Sequence, residues 1–173
     1  TQSFTVNGSV PLANFTIQNA NALCSNRDVI ITDASTVDFG GIVKTEIYWD
    51  WLNDPTIKTV DDYPAPGKNY SHIYPEFGSP ATNTYTIRMV SYSGISCMHV
   101  LTKTVTVLAI PAVKFDPLNE VCSNAPSFQI TQGGITNGLS GNGVYLGHGV
   151  SATGLFNPSA AGSGIHTLLY TYS

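Results

Sequence analysis

Residues 1–15, TQSFTVNGSVPLANF, and residues 102–115, TKTVTVLAIPAVKF, follow one plan. A Thr/Val run leads through a short hop to a proline, and then to a phenylalanine. Val6 leads to Pro11 and Phe15; Val107 leads to Pro111 and Phe115. Further on, Cys24-Ser25-Asn26 is echoed by Cys122-Ser123-Asn124, a spacing of 98 residues. Repetition at a fixed period constrains architecture before any local propensity does. A period of this size is that of one β-sandwich domain. The reading that follows is a window on a tandem array. Residues 1–9 are expected to be the last strand of a preceding repeat. Residues 10–109 are expected to form one complete sandwich. Residues 110–173 are expected to form a second, glycine-rich β domain that lacks its final strand.

Alternation supports this all-β reading. In VKTEIYWDW (43–51), Val43, Thr45, Ile47, Trp49 and Trp51 fall on one face, and Lys44, Glu46, Tyr48 and Asp50 on the other. That is the pattern of a half-buried strand, with Trp49 as the core anchor because an aromatic buries the most area. Residues 84–92 set Tyr85, Ile87 and Met89 against Thr86, Arg88 and Val90. Residues 101–107 set Leu101, Val105 and Val107 against Thr102, Thr104 and Thr106. Shorter strands are predicted at 13–18, 28–33 and 70–74, and in the second domain near 127–131, 143–146 and 165–172. Residues 52–68 carry Pro55, Pro64 and Pro66, which oppose regular pairing. They read as a loop with room for a short edge strand near Ile57–Val60. The hop at 108–111 is too short and apolar for a free tether, which predicts stiffly docked neighbours.

Charge narrows the function classes. Charged residues are 10 % of the chain, against about 25 % in average soluble domains. Thr, Ser, Asn and Gly replace them, as on many secreted β proteins. Net charge is −4 with seven Lys+Arg scattered singly. No basic stripe exists to neutralise phosphates, which argues against nucleic-acid binding. No apolar run reaches the length of a membrane-spanning helix.

The three cysteines suggest a pairing. Cys24 precedes the second strand of the first domain and Cys97 lies just before its last, so a Cys24–Cys97 bridge is expected, with Cys122 paired outside this sequence. Three buried thiols are the alternative. A disulfide would place the chain in an oxidising, extracytoplasmic compartment.

Chemistry-bearing residues are sparse. His72, His99, His148 and His166 stand apart in sequence, with no H-E-x-x-H or C-x-x-C pattern. Glycines 138, 141 and 143 fit neither a nucleophile elbow nor a dinucleotide fingerprint, and read as turn residues. Asp50, Asp54, Asp61 and Asp62 flank the proline-rich loop and are candidate calcium ligands, since calcium takes several oxygen donors. Tyr63, Tyr70, Tyr74 and Phe77 lie near the same loop, and exposed there they could contact a glycan. The competing reading places them on the core edge. Three N-x-S/T sequons begin at Asn7, Asn14 and Asn69.

With these residues in view, the first domain resembles the polycystin-type (PKD) repeat, an immunoglobulin-like β-sandwich. The matching motifs are Cys24, Asp33-Ala34-Ser35, Trp49-Asp50-Trp51, His72-Ile73-Tyr74 and Tyr85-Thr86-Ile87-Arg88-Met89. One departure is Leu52-Asn53-Asp54-Pro55, where the family carries a glycine-rich turn. The second segment resembles a glycine-rich repeat through Gly147-His148-Gly149-Val150, Phe156-Asn157-Pro158, Ala161-Gly162 and Gly164-Ile165-His166-Thr167. Alternation of the two is similar to giant surface adhesins of gliding, type IX-secreting bacteria.

That resemblance implies a non-enzymatic structural and adhesive segment at the cell surface: the stalk or filament of an adhesin. Its partners would be neighbouring repeats and, beyond them, surface glycans or other cells. Two rivals are a spacer or carbohydrate-contacting module of a secreted hydrolase, and a filament subunit that polymerises head to tail by strand complementation.

Overall fold

The computed structural model describes residues 1–4, 8–18, 20 and 23–173. The chain is nearly all-β and divides into two compact units, Thr1–Ala109 and Ile110–Ser173.

Unit 1 has seven strands: β1 (Phe15–Ile17), β2 (Asp28–Asp33), β3 (Lys44–Asp50), β4 (Asp54–Asp61), β5 (Asn69–Ile73), β6 (Thr82–Tyr92) and β7 (Met98–Leu108). They form two antiparallel sheets, ordered β1-β2-β5 and β4-β3-β6-β7. Both sheets send side chains into one core, an arrangement compatible with a β-sandwich. Phe15, Val29, Ile31 and Tyr70 come from the first sheet; Ile47, Trp49, Ile87, Met89, Val105 and Val107 come from the second. Fully burying each large apolar side chain contributes roughly 1.5–3 kcal/mol. Trp49 keeps a polar handle there, its indole N–H donating to Thr59 Oγ1 at 3.0 Å. The Tyr74 hydroxyl donates to the Trp49 carbonyl at 2.6 Å, and its ring stacks on Tyr85.

The alternation predicted for residues 101–107 matches the burial of β7, and that for 84–92 holds at Ile87, Arg88 and Met89; Val90, set on the outward face with Arg88, is buried as well. Around β3 the structure differs from it. Val43 is exposed because pairing starts at Lys44. Trp51 lies beyond the end of β3 and turns to the outer face beside Tyr48, while Asp50 is buried. The expected loop after Trp51 begins with a full eight-residue strand, β4, which includes Pro55. The ladder tolerates that proline because the register slips between the Tyr48↔Lys58 and Asp50↔Asp54 pairs. Pro55 thus sits at a bulge on an edge strand, where a missing N–H breaks no ladder bond.

The Cys24–Cys97 pairing is not made; all three cysteines are free. Cys24 bridges Leu108 at one end of β7, and Cys97 precedes Met98 at the other. Eleven residues of strand hold them roughly 30 Å apart, far beyond the ~7 Å a disulfide can span between Cα atoms. Cys24 and Cys122 are exposed rather than buried. At the N-terminus Thr1–Phe4 are exposed and outside any strand. Residues 5–7 of the strand expected over 1–9, Val6 and the Asn7 sequon included, lie outside the described residues.

Unit 2 has six short strands and one helical turn: β8 (Val113–Phe115), β9 (Phe128–Gln129), β10 (Gly133–Ile135), β11 (Gly143–Leu146), β12 (Leu155–Phe156), α1 (Pro158–Ala161) and β13 (Leu169–Tyr172). They pair two by two, β10 with β8, β11 with β13 and β12 with β9. Asn157 caps α1, accepting from Ala160 N at 3.1 Å, and Pro158 supplies a preset first-turn φ. Ile130, Tyr145, Phe156 and Ala161 form the small core. Gly133, Gly143 and Gly154 lie against the Tyr145 and Tyr170 side chains. A Cβ on Gly133 would sit 2.7 Å from the Tyr170 ring carbon Cγ and 2.8 Å from the Tyr145 hydroxyl. The rings therefore lie directly on bare backbone.

The two units open on the same hairpin. In unit 1, β1 pairs with β2 through Phe15↔Asp33, and the ladder continues to a bridge at Leu12↔Thr36. In unit 2, β8 pairs with β10 through Phe115↔Gly133, and Thr136 N donates to the Ala112 carbonyl. Each partner in the second ladder is the first plus 100. Between the strands both Cys-Ser-Asn segments make the same turn, Arg27 N to Cys24 O at 3.3 Å and Ala125 N to Cys122 O at 3.0 Å. The cysteine spacing is 98 because Cys122 lies two residues nearer its phenylalanine, and the strand after it two residues farther on.

Candidate functional site

The outer face of the β4-β3-β6-β7 sheet gathers Lys44, Glu46, Tyr48, Lys58, Arg88 and Tyr92. Register builds it in rows. Lys58, Tyr48, Arg88 and Thr102 stand side by side across four strands. The next row is Val60, Glu46, Val90 and Val100; the third holds Lys44, Tyr92 and Met98.

Glu46 lies at the centre and is 8 % exposed. Its Oε1 takes the Lys44 ammonium at 2.7 Å. Its Oε2 accepts from the Tyr48 hydroxyl at 2.8 Å and the Tyr92 hydroxyl at 3.1 Å. The Lys44 hydrogen bond, assisted by both hydroxyls, holds the Glu46 carboxyl below the usual carboxylate range. Burial, reinforced by Glu46, pushes the Tyr48 and Tyr92 hydroxyls up. A buried carboxylate is retained only when its oxygens are satisfied in this way.

Above this bed lie cation–π contacts. The Arg88 guanidinium sits 3.8 Å from the centre of the Trp51 ring and 5.8 Å from that of Tyr48. Lys58 Nζ lies 5.4 Å from the Tyr48 centre on the opposite flank. Tyr48 meets Trp51 edge to face at 5.1 Å. Such stacks hold long cationic side chains in one orientation.

The residues singled out from sequence are dispersed. β4 separates the four aspartates: Asp50 and Asp54 lie at one end, Asp61 and Asp62 at the other. Seven residues of strand put roughly 23 Å between the two pairs, so they do not share one site. Asp50, Asp54 and Asp61 each engage locally instead. Asp50 accepts from Asn53 Nδ2 at 3.0 Å, and Asp54 from Thr56 N at 3.0 Å. Asp61 takes Lys68 Nζ and the Tyr70 hydroxyl, both at 2.6 Å, and Lys68 above all holds its carboxyl below the usual range.

Of the four candidate glycan aromatics, Tyr70 and Tyr74 are buried core residues and so cannot stack on a sugar, while Phe77 packs half-buried against that core. Tyr63 is exposed. His72 stacks on Trp49 at 5.2 Å, its Nε2 is buried without a hydrogen-bond partner, and burial pushes its pKa down. His99 Nδ1 accepts from Ala13 N at 3.1 Å. His148 and His166, distant in sequence, come to 6.1 Å between ring centres in unit 2.

Alternation placed Lys44, Glu46, Tyr48 and Arg88 outside, but it could not show that they meet. The pairing of β3 with β4 and β6 brings them together, and the end of β3 turns Trp51 towards them. No protein-family model, no curated protein and no solved structure matches the chain.

Proposed function

We propose that the chain is a non-enzymatic structural and adhesive segment of a long, repetitive cell-surface protein, the stalk or filament of an adhesin. On this reading each unit is an immunoglobulin-like, PKD-type module. The seven strands of unit 1, in sheets of three and four with a buried tryptophan near the end of the third strand, favour that module. The observation that carries the proposal is the opening hairpin repeated with its register shifted by 100 residues. Repeated sandwiches suit an extended stalk because each unit folds around its own core and stability accumulates along the array. Export to the cell surface, neighbouring repeats as partners and glycans as ligands belong to the same proposal.

The coding sequence on either side tests it. Many further copies of the Pro-x3-Phe and Cys-Ser-Asn hairpin at this period are expected. One or two copies beside a hydrolase domain would replace the stalk with a spacer in a secreted enzyme.

A further inference from the structure

We infer that the outer face of the β4-β3-β6-β7 sheet binds an acidic polysaccharide, with Arg88 and Lys58 receiving carboxylates of successive acidic sugars. This deepens the adhesive role proposed above and rests on it for its setting.

Two cations on this face lack an anion. Among the described residues the ion pairs are Lys44–Glu46, Lys68–Asp61 and Lys114–Asp116. Glu46 is fully engaged by Lys44 and two tyrosine hydroxyls, leaving nothing for Arg88 or Lys58. Both are instead held by aromatic rings. The Arg88 guanidinium carbon lies 3.8 Å from the Trp51 ring centre, and a guanidinium held over an indole in this way leaves its N–H fork free to grip a carboxylate through two bonds. Arg88 is therefore oriented before any ligand arrives, which lowers the entropic cost of binding.

The rest of the face selects among anions. Lys58 and Arg88 flank Tyr48 in one row, two strand spacings or about 10 Å apart. In the neighbouring row Val60, 44 % exposed, stands on one edge strand and Val100 on the other, with Glu46 and Val90 between them. Thr102 completes the first row with a hydroxyl. A sheet face with two separated cations, a threonine hydroxyl and a valine on each edge strand suits a chain of sugar rings, whose C–H faces and hydroxyls alternate with carboxylates. Two cations are too few for duplex DNA, whose binding grows with each phosphate neutralised.

The test is affinity electrophoresis and calorimetry of the whole chain with polygalacturonate. Dextran, dextran sulfate, poly-glutamate and duplex DNA serve as comparisons. Polygalacturonate should bind, more weakly as salt rises, and dextran should not. Arg88→Gln should weaken binding at least about tenfold, and Arg88→Lys should not restore it, because lysine lacks the planar fork. Lys58→Gln should weaken it by a smaller factor, and Lys114→Gln should leave it unchanged. Near-UV circular dichroism checks that each variant is folded. Absent binding, or equal binding by folded Arg88→Gln, overturns the assignment. So does tighter binding of dextran sulfate, poly-glutamate or DNA, each of which names a different ligand class. The stalk is tested by the flanking sequence, so either proposal can fail alone.

Discussion

Unit 1 fills its interior with side chains; unit 2 fills it by laying tyrosines on glycine backbone. The same opening hairpin serves both. In unit 1, Phe15 is fully buried between two sheets and Ser25 is buried with it. In unit 2, Phe115 is only partly buried, and the turn at Ser123 is exposed. Local sequence thus specifies the hairpin twice, while the strands around it decide how much apolar surface it covers. With three two-stranded pairings, unit 2 has too little sheet to interdigitate two faces. It recovers contact by removing side chains under Tyr145 and Tyr170, at Gly133, Gly143 and Gly154.

The sharpest test of this contrast is the pair Phe15→Ala and Phe115→Ala. Phe15→Ala should cost about 3–5 kcal/mol, the range for emptying a full aromatic site. Phe115→Ala should cost about half as much, since less area is lost. Chemical denaturation reads both, and equal costs would erase the distinction. Next in size, Gly133→Ala should destabilise by about 1–3 kcal/mol, as overpacking does. At the adjacent Gly134 the nearest atom a Cβ would meet is the Lys114 Cε at 3.9 Å, so Gly134→Ala should be nearly neutral.

A third expectation concerns pH. The buried His72 has a lowered pKa, so the unfolded chain binds its proton first. Its effect on stability is flat above the unfolded value of about 6.5 and turns unfavourable as pH falls from there towards the folded value. His72→Phe should remove that slope in thermal melts between pH 7 and 5. Asp61 acts in a lower window. Its folded pKa is depressed, so its contribution persists above the unfolded value of about 3.9 and is lost as pH falls through the folded one. Asp61→Asn should flatten that acid limb. The smallest effect is expected from the thiols: a reducing agent should leave the melting temperature unchanged, since Cys24 and Cys97 are too far apart to pair.

Much of unit 1 was legible because alternation is a local signal. Ile87, Met89 and Trp49 were placed inside by period alone, and β2 has the boundaries that pattern predicts. Legibility failed where a partner strand overrides local chemistry. Pro55 argued for a loop, yet a bulge absorbs it into β4. In unit 2 the pattern predicts no strand at Gly133-Gly134, yet β10 runs through them, with Gly133 making room for aromatic rings. The outer-face site was invisible for a related reason. Lys58, Tyr48 and Arg88 are brought into one row only by strand register.

The bulge in β4 has a consequence for crowding. Chains displayed side by side are prone to zip together along exposed sheet margins. Here the margin is kinked, lacks an N–H at Pro55 and carries Lys58, three devices that discourage a newcomer from docking there. Two copies of unit 1 meeting at this margin would therefore stay separate rather than merge their sheets into one.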